Sequence, residues 1–331
     1  MTPFAKLAVL GVAATAVIAL MPLIGLQALP LSVLFDPNGT DPAAIIFWQI
    51  RVPRVLAACV GGAGLALGGA VFQAVFRNPL ATPYTLGVAS GASLGVALVS
   101  RLGLSAVVVG LSTNVVAAFA GALVAVGVVW ALTRLRPDLS STVLLLAGVA
   151  MNFFFSSVIL FVQYTASLGD SYRIIRWLMG GLGAVDMRTV LHMAPVVMAG
   201  ALVIWWRARE LDLLATGPEI AASRGVAVAR TRTVLFLATS IMVGGVVAGC
   251  GPIGFVGMMA PHICRLLVGP NHRILLPASV LFGGAFLVVC DTAARIVLSP
   301  AELPVGVITA FLGAPFFLWL LVRQSGVAHH R

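Results

Sequence analysis

Charge is scarce in this sequence: Asp, Glu, Lys and Arg make up 9% of the residues, against about 25% in a soluble domain. No charged residue occurs in 55–76, 102–133 or 233–264. A helix needs about 20 apolar residues to cross a bilayer, so each stretch can span one. The stretches do not alternate polar with apolar residues as barrel strands do. The sequence therefore predicts an all-α, polytopic membrane protein.

Lysine occurs once, at Lys6, within the sequence Phe-Ala-Lys-Leu. A phosphate-binding P-loop requires Gly-x-x-x-x-Gly-Lys followed by Ser or Thr, and those glycines are absent here. The chain therefore cannot hydrolyse ATP by that chemistry. If ATP drives its function, another subunit must hydrolyse the nucleotide.

We expect no residue set for metal binding or catalysis within the predicted spans. The four cysteines form no Cys-x-x-Cys pair, so we expect small buried hydrophobic side chains, with no metal and no cofactor. An intramembrane enzyme would need a nucleophile with its base, or a metal set, within the spans. An ion-driven transporter would need carboxylates at mid-depth, but Asp291 and Glu302 fall near predicted outer ends. Both classes are kept as remote alternatives.

Ten apolar segments are bounded by charges or by proline and glycine. The predicted spans are 7–29, 54–76, 84–103, 105–133, 142–166, 189–207, 231–250, 255–270, 274–294 and 305–323. An even number of spans places both termini on one side. Pairs of small residues four apart, such as Gly91 and Gly95, predict close contact between helix backbones.

The basic residues are distributed unevenly between the two predicted sides. If the N-terminus is cytoplasmic, thirteen of the twenty lie inside and seven outside. This excess predicts cytoplasmic termini by the positive-inside rule. The basic residues stand singly or in pairs at the ends of apolar runs, so the net charge of +10 does not indicate nucleic-acid binding.

The longest predicted cytoplasmic loop covers about 208–230 and is polar. Pro218 suits a first helical turn, Glu219 suits the positive end of a helix dipole, and Gly225 can end a helix. The pattern predicts a short helix outside the membrane. A plain solvated connector is the alternative.

Several motifs occur in the order found in one family. They are Arg51-Val52-Pro53-Arg54, Asn78-Pro79-Leu80-Ala81, Leu86-Gly87-Val88, Leu145-Leu146-Ala147-Gly148-Val149, Trp177-Leu178-Met179-Gly180-Gly181, Gly217–Val226, Gly251-Pro252-Ile253-Gly254-Phe255-Val256-Gly257, Pro261-His262-Ile263-Cys264-Arg265 and Glu302-Leu303-Pro304-Val305-Gly306. With them the chain resembles the FecCD permeases of type II ABC importers, which take up iron-siderophores, haem and cobalamin.

The resemblance implies a single transmembrane permease domain over 1–331, with a cobalamin-permease-like bundle of about ten helices. It implies a multi-pass protein of the bacterial inner membrane that pairs with a second copy of itself, while a periplasmic binding protein delivers a metal chelate. A cytoplasmic ATPase dimer would couple at Gly217, Glu219, Ala221, Ala222 and Gly225. Ferric siderophore is the first cargo choice, followed by cobalamin and then haem.

The family also suggests roles for single residues. Arg51, Arg54 and Arg295 would hold carboxylates of the binding protein, although anchoring at the membrane interface explains arginines at helix ends as well. The predicted cytoplasmic gates are Ser141, Thr142, Asn78 and Leu80, with an ordinary turn and helix cap as the alternative. The predicted pathway lining is Met151, Asn152, Phe155 and Gln163, with core packing as the alternative.

Overall fold

The computed structural model describes residues 2–37, 39–104, 106–108, 110–135, 141–298 and 300–328. Nearly all of them lie in helices or in the short turns that join helices. The elements are α1 (Pro3–Leu20), α2 (Pro42–Ile45), α3 (Val52–Phe76), α4 (Val88–Arg101), β1 (Val107–Val108), β2 (Leu111–Ser112), α5 (Thr113–Leu135), α6 (Ser141–Tyr164), α7 (Leu168–Leu178), α8 (Met187–Trp206), α9 (Ala208–Thr216), α10 (Pro218–Ser223), α11 (Val228–Cys250), α12 (Val256–Val268), α13 (His272–Ile296) and α14 (Val305–Ala328).

Each of the ten predicted spans overlaps an apolar helix. Within the described residues, seven helices are long and apolar enough to cross a membrane, and α4, α12 and the stretch Val305–Leu320 of α14 are shorter apolar helices. The prediction of an all-α bundle of about ten spanning helices is therefore confirmed. A π-helical turn over Ile46–Arg51 joins α2 to α3, so the second helical segment runs from Pro42 to Phe76 and starts well before the predicted residue 54.

The fourth predicted span was wrong at its start. It was placed at residue 105, but β1 and β2 form a small antiparallel hairpin before α5 begins at Thr113. The Thr113 hydroxyl accepts a hydrogen bond from the backbone N–H of Ala106 and donates one to its carbonyl, both at 2.8 Å. Gly110 has a φ of 77°, which allows the tight turn.

Helix α7 is a short helix between α6 and α8. The Ser167 hydroxyl caps it by accepting a hydrogen bond from the Asp170 N–H at 3.2 Å. Hydrogen bonds from Ser167 and Arg173 lower the pKa of the Asp170 carboxyl. Gly180, with a φ of 66°, follows the helix end.

Helix α3 lies at the centre of the bundle and packs against α8, α11, α12 and α13. In an 18-residue apolar stretch of this helical segment 78% of the residues are buried, as expected for a helix that is apolar all round. Its glycines allow backbones to touch: a Cβ on Gly62 would lie 2.2 Å from the carbonyl oxygen of Gly283 in α13. Small residues thus set the spacing of the central helices.

The predicted glycine contacts of α4 are confirmed. A Cβ on Gly91 would lie 2.5 Å from the Gly121 carbonyl oxygen, and one on Gly95 would lie 2.1 Å from the Ala117 carbonyl oxygen. Both partners belong to α5. Gly87 differs, because with a φ of 85° it precedes α4 instead of packing within it.

The peripheral helices expose apolar side chains. Only 6% of the α1 segment and 17% of the α6 segment are buried. Apolar helices that are this exposed are suited to contact with lipid or with another protein.

Residues predicted on the same side of the membrane meet in the structure. The Lys6 ammonium, just before the first predicted span, donates to the carbonyl of Leu267, near the end of the eighth, at 2.7 Å. The Arg51 guanidinium, just before the second predicted span, donates to the carbonyl of Gln27, near the end of the first, at 2.7 Å. The contacts agree with the predicted arrangement of spans, while the cytoplasmic location of the termini stays a prediction.

Candidate functional site

The predicted cytoplasmic loop folds into two short helices, α9 and α10, so the prediction of a short helix is confirmed. Pro218 occupies the first turn of α10, where its missing N–H costs no hydrogen bond. The helix ends in a Schellman motif: Val226 N–H donates to the Ala221 carbonyl and Gly225 N–H to the Ala222 carbonyl, both at 3.0 Å. Gly225 has a φ of 83°, which this motif favours.

The five predicted coupling residues divide into two groups. Ala221 is fully buried and belongs to the core, and Gly217 is buried at the turn between α9 and α10. Glu219, Ala222 and Gly225 are exposed on the outer surface of the segment. The exposed group forms a surface that a partner subunit could contact, and coupling through it stays a prediction.

A cluster of ionised side chains lies at the opposite end of the bundle. Arg54 Nε donates to both carboxylate oxygens of Asp291, at 3.1 and 2.9 Å, and its Nη1 donates to Glu302 at 2.7 Å. Arg295 Nε lies 3.5 Å from Asp291. The Asp291 side chain is only 1% exposed, whereas that of Glu302 is 47% exposed. We call these four residues the outer ion cluster.

The third predicted docking arginine, Arg51, is held by backbone groups. Its guanidinium donates to the carbonyls of Pro22 at 3.2 Å, Leu23 at 3.1 Å and Gln27 at 2.7 Å. Arg51, Arg54 and Arg295 lie at the same end of the bundle. They are only 5%, 5% and 6% exposed, so their side chains are buried within the protein. Docking of a binding protein on them stays a prediction.

The predicted gates are found at a turn and at a helix start. The Asn78 side chain accepts a hydrogen bond from the Leu80 N–H at 2.9 Å, the geometry of an Asx turn, and Leu80 is 40% exposed. Thr142 is exposed near the start of α6. Ser141 begins α6, but its side chain lies outside the described part of the chain. A gating role stays a prediction for all four.

The four predicted lining residues lie on the packed side of α6. Asn152 accepts a hydrogen bond from Ser90 Oγ at 2.6 Å and donates to the Tyr84 carbonyl at 3.1 Å, while Phe155 is 7% exposed. Met151 and Gln163 are half-buried on the same side. The opposite face carries exposed apolar residues that were not among the predicted lining residues. They include Leu146, Val149, Phe153, Leu160, Phe161 and Tyr164.

Three of the sequence motifs meet beside α14: those that contain Gly180, Pro252 and Gly306. A Cβ on Gly180 would lie 2.1 Å from the Pro252 carbonyl oxygen, and one on Gly306 would lie 2.1 Å from the Met179 carbonyl oxygen. A groove of about 580 Å³ opens there, with Phe311 in its wall. These contacts explain why glycines stand at the ends of motifs that are far apart in the chain.

One pentapeptide, Gly91–Gly95, has the Gly-x-Ser-x-Gly spacing of hydrolase nucleophiles. In hydrolases this serine sits on a sharp turn between a strand and a helix. Here Ser93 lies within α4, is 4% exposed, and donates its hydroxyl hydrogen to the Ala89 carbonyl at 2.8 Å. The serine is a packing residue.

Comparison with known proteins identifies the family. The model of the FecCD transport family matches residues 8–323, which is nearly the whole chain. The chain belongs to the FecCD transport family. It is therefore a multi-pass transport permease, as the motifs indicated.

Named relatives agree with this assignment. The chain is 44% identical to the cobalamin import system permease protein BtuC of Halobacterium salinarum, over 85% of the chain and 74% of that protein. It is 37% identical to the hemin transport system permease protein HmuU of Yersinia pestis, over 91% and 90%. A solved structure described as an inward-facing conformation of a metal-chelate type ABC transporter shares 30% identity and a TM-score of 0.83, covering 95% of this chain and 98% of that one.

Proposed function

We propose that this FecCD permease is the membrane subunit of an importer for a metal chelate, driven by a separate ATPase that binds α9 and α10. The proposal rests on one observation: the segment α9–α10 is folded onto the bundle and leaves one side exposed. Its buried side, with Leu211 and Leu214 fully enclosed, is fixed to the bundle, while Glu219 and Ala222 remain exposed. Because the chain has no P-loop, ATP hydrolysis would have to be supplied by a separate ATPase, and the exposed side of this segment offers that subunit a binding surface.

The exposed faces of the bundle and its outer end suggest the other partners of the permease. A second copy would pair through the exposed apolar faces, and cargo would pass between the two copies from a periplasmic binding protein. Carboxylates of that protein would compete with Asp291 and Glu302 for Arg54, with Asp291 for Arg295, and with backbone carbonyls for Arg51. The termini would lie in the cytoplasm, since most basic residues fall on that side.

The cargo we test first is cobalamin. The relatives named above import cobalamin or hemin, and the related solved structure is of the metal-chelate type. Ferric siderophore, the first choice from the sequence, and haem remain the alternatives within the same class.

Uptake in cells tests the proposal directly. We expect cells that lack this chain to lose uptake of one labelled chelate among cobalamin, ferric siderophore and haem. We also expect purified permease, reconstituted with its ATPase and binding protein, to move the same chelate only with hydrolysable ATP. Chelate uptake by the reconstituted permease that needs an ion gradient instead of ATP would contradict the proposal.

Ala222→Arg is expected to weaken binding of the ATPase subunit about tenfold or more, because it places a long charged side chain in the middle of the exposed surface of α10. The affinity of the detergent-solubilised permease for the ATPase would be measured directly. Ala229→Arg is the matched control, because Ala229 is also exposed but lies in the first turn of α11. Equal affinities for the two variants would contradict the placement of the ATPase surface.

A further inference from the structure

A polar contact connects the segment α9–α10 to the first residue of α13. Asp212 of α9 accepts a hydrogen bond from the backbone N–H of His272 at 2.9 Å, and the same oxygen lies 2.6 Å from His272 Nδ1. His272 is 3% exposed. The two residues are 60 positions apart, so the contact joins separate parts of the fold.

The carboxylate satisfies groups that would otherwise be left unpaired. The first N–H groups of a helix have no partner within it, and here Asp212 takes that of His272 while Asn271 takes that of Arg273 at 2.9 Å. A negative charge also suits the positive end of the α13 dipole. Nδ1 of the His272 ring donates to Asp212, and in the described part of the chain its buried Nε2 has no hydrogen-bond partner. Asp212 therefore orients the ring.

A second acid on α9 contacts another helix. Glu210 accepts a hydrogen bond from Thr231 of α11 at 2.5 Å and forms an ion pair with Arg207 at 2.8 Å. Leu211, between the two acids, is fully buried. Helix α9 is thus joined to α11 on one side and to α13 on the other.

Helix α13 reaches from this contact to the outer ion cluster. It packs along α3, and near its other end it carries Asp291 and Arg295, which belong to that cluster. A rigid shift of α9 at one end would therefore be passed along α13 to the region where the outer arginines lie.

We propose that Asp212 is a positioning residue for energy coupling. Its contact with His272 makes α13 follow the movement of the segment α9–α10, to which the ATPase binds. This inference rests on the proposed function, because it assumes that an ATPase binds α9 and α10. A merely structural Asp212 would stabilise the fold without affecting how much cargo moves per ATP.

The decisive measurement is the number of cargo molecules imported per ATP hydrolysed, in proteoliposomes holding the permease, its ATPase and its binding protein. We expect Asp212→Ala to lower this ratio about fivefold or more while ATPase binding and ATP hydrolysis persist. Asp212→Asn is expected to fall between wild type and Asp212→Ala, because an amide oxygen accepts both hydrogen bonds but has no charge. Asp186→Ala is the control, because Asp186 caps α8 at the opposite end of the bundle.

An unchanged ratio in folded Asp212→Ala would overturn the inference. So would parallel losses of transport and ATP hydrolysis, since these indicate a structural role. If Asp212→Ala does not fold, the ratio for Asp212→Asn decides, and a value equal to wild type would likewise overturn the inference. Failure of the wild-type assembly to import with ATP would instead contradict the proposed function itself, so the two failures are distinguishable.

Discussion

Replacing Asp291 with asparagine is expected to lower the free energy of unfolding by about 3–5 kcal/mol, because it removes the shared counter-charge of two buried arginines. The single N–H at Arg54 Nε is shared between the two oxygens of this carboxylate, and Arg295 lies 3.5 Å from it. An asparagine keeps the shape of the side chain, so the loss reports the charge and its hydrogen bonds. The measurement is chemical unfolding of the purified protein in mixed micelles.

Two other acids serve as controls for Asp291. Glu302→Gln removes a second partner of Arg54, but the Glu302 side chain is 47% exposed, so water replaces much of what is lost and the effect should be clearly smaller. Asp170→Asn breaks an exposed ion pair with Arg173 and should leave stability nearly unchanged. A loss for Asp291→Asn as small as that for Asp170→Asn would show that this carboxylate does not hold the cluster together.

The spanning helices could be predicted from the sequence because the bilayer imposes a length and a composition on them. Each predicted span overlaps an observed helix, and most ends agree to within a few residues, as in α13, predicted over 274–294 and observed over His272–Ile296. Local chemistry also predicted α10, whose proline, acid and glycine mark its beginning and end. The hairpin before α5 was missed because its residues are as apolar as the helix that follows.

The contacts made by the site residues could not be predicted in the same way. Arg54 and Asp291 are 237 positions apart, and nothing near either residue indicates the other. From the sequence, each arginine was therefore interpreted as an isolated charge that faces outward. Similarly, α6 is apolar on all sides, so periodicity could not separate its packed face from its exposed one. The polar Asn152 indicated the side that faces protein, namely Ser90 and Tyr84.

Gly69→Ala is expected to destabilise the protein strongly, although it adds only one methyl group. A Cβ at this position would lie 1.6 Å from the carbonyl oxygen of Gly257, so α3 and α12 would have to move apart. Overpacking of a close-packed core costs about 1–3 kcal/mol, and we expect the upper end or more because the obstacle is backbone, which cannot rotate away as a side chain can. The temperature at which the detergent-solubilised protein unfolds measures the loss.

Gly61→Ala is the matched control on the same helix. Gly61 is also buried, but a Cβ there would meet Val246 Cγ1 at 3.5 Å and the Cys250 sulfur at 3.6 Å, which are ordinary contact distances. Alanine also favours the helical backbone over glycine by about 1 kcal/mol, so Gly61→Ala should be neutral or slightly stabilising. Both variants add one methyl group to α3, and only the direct backbone contact with Gly257 distinguishes them. If both variants unfold at the wild-type temperature, α3 and α12 are not in that contact.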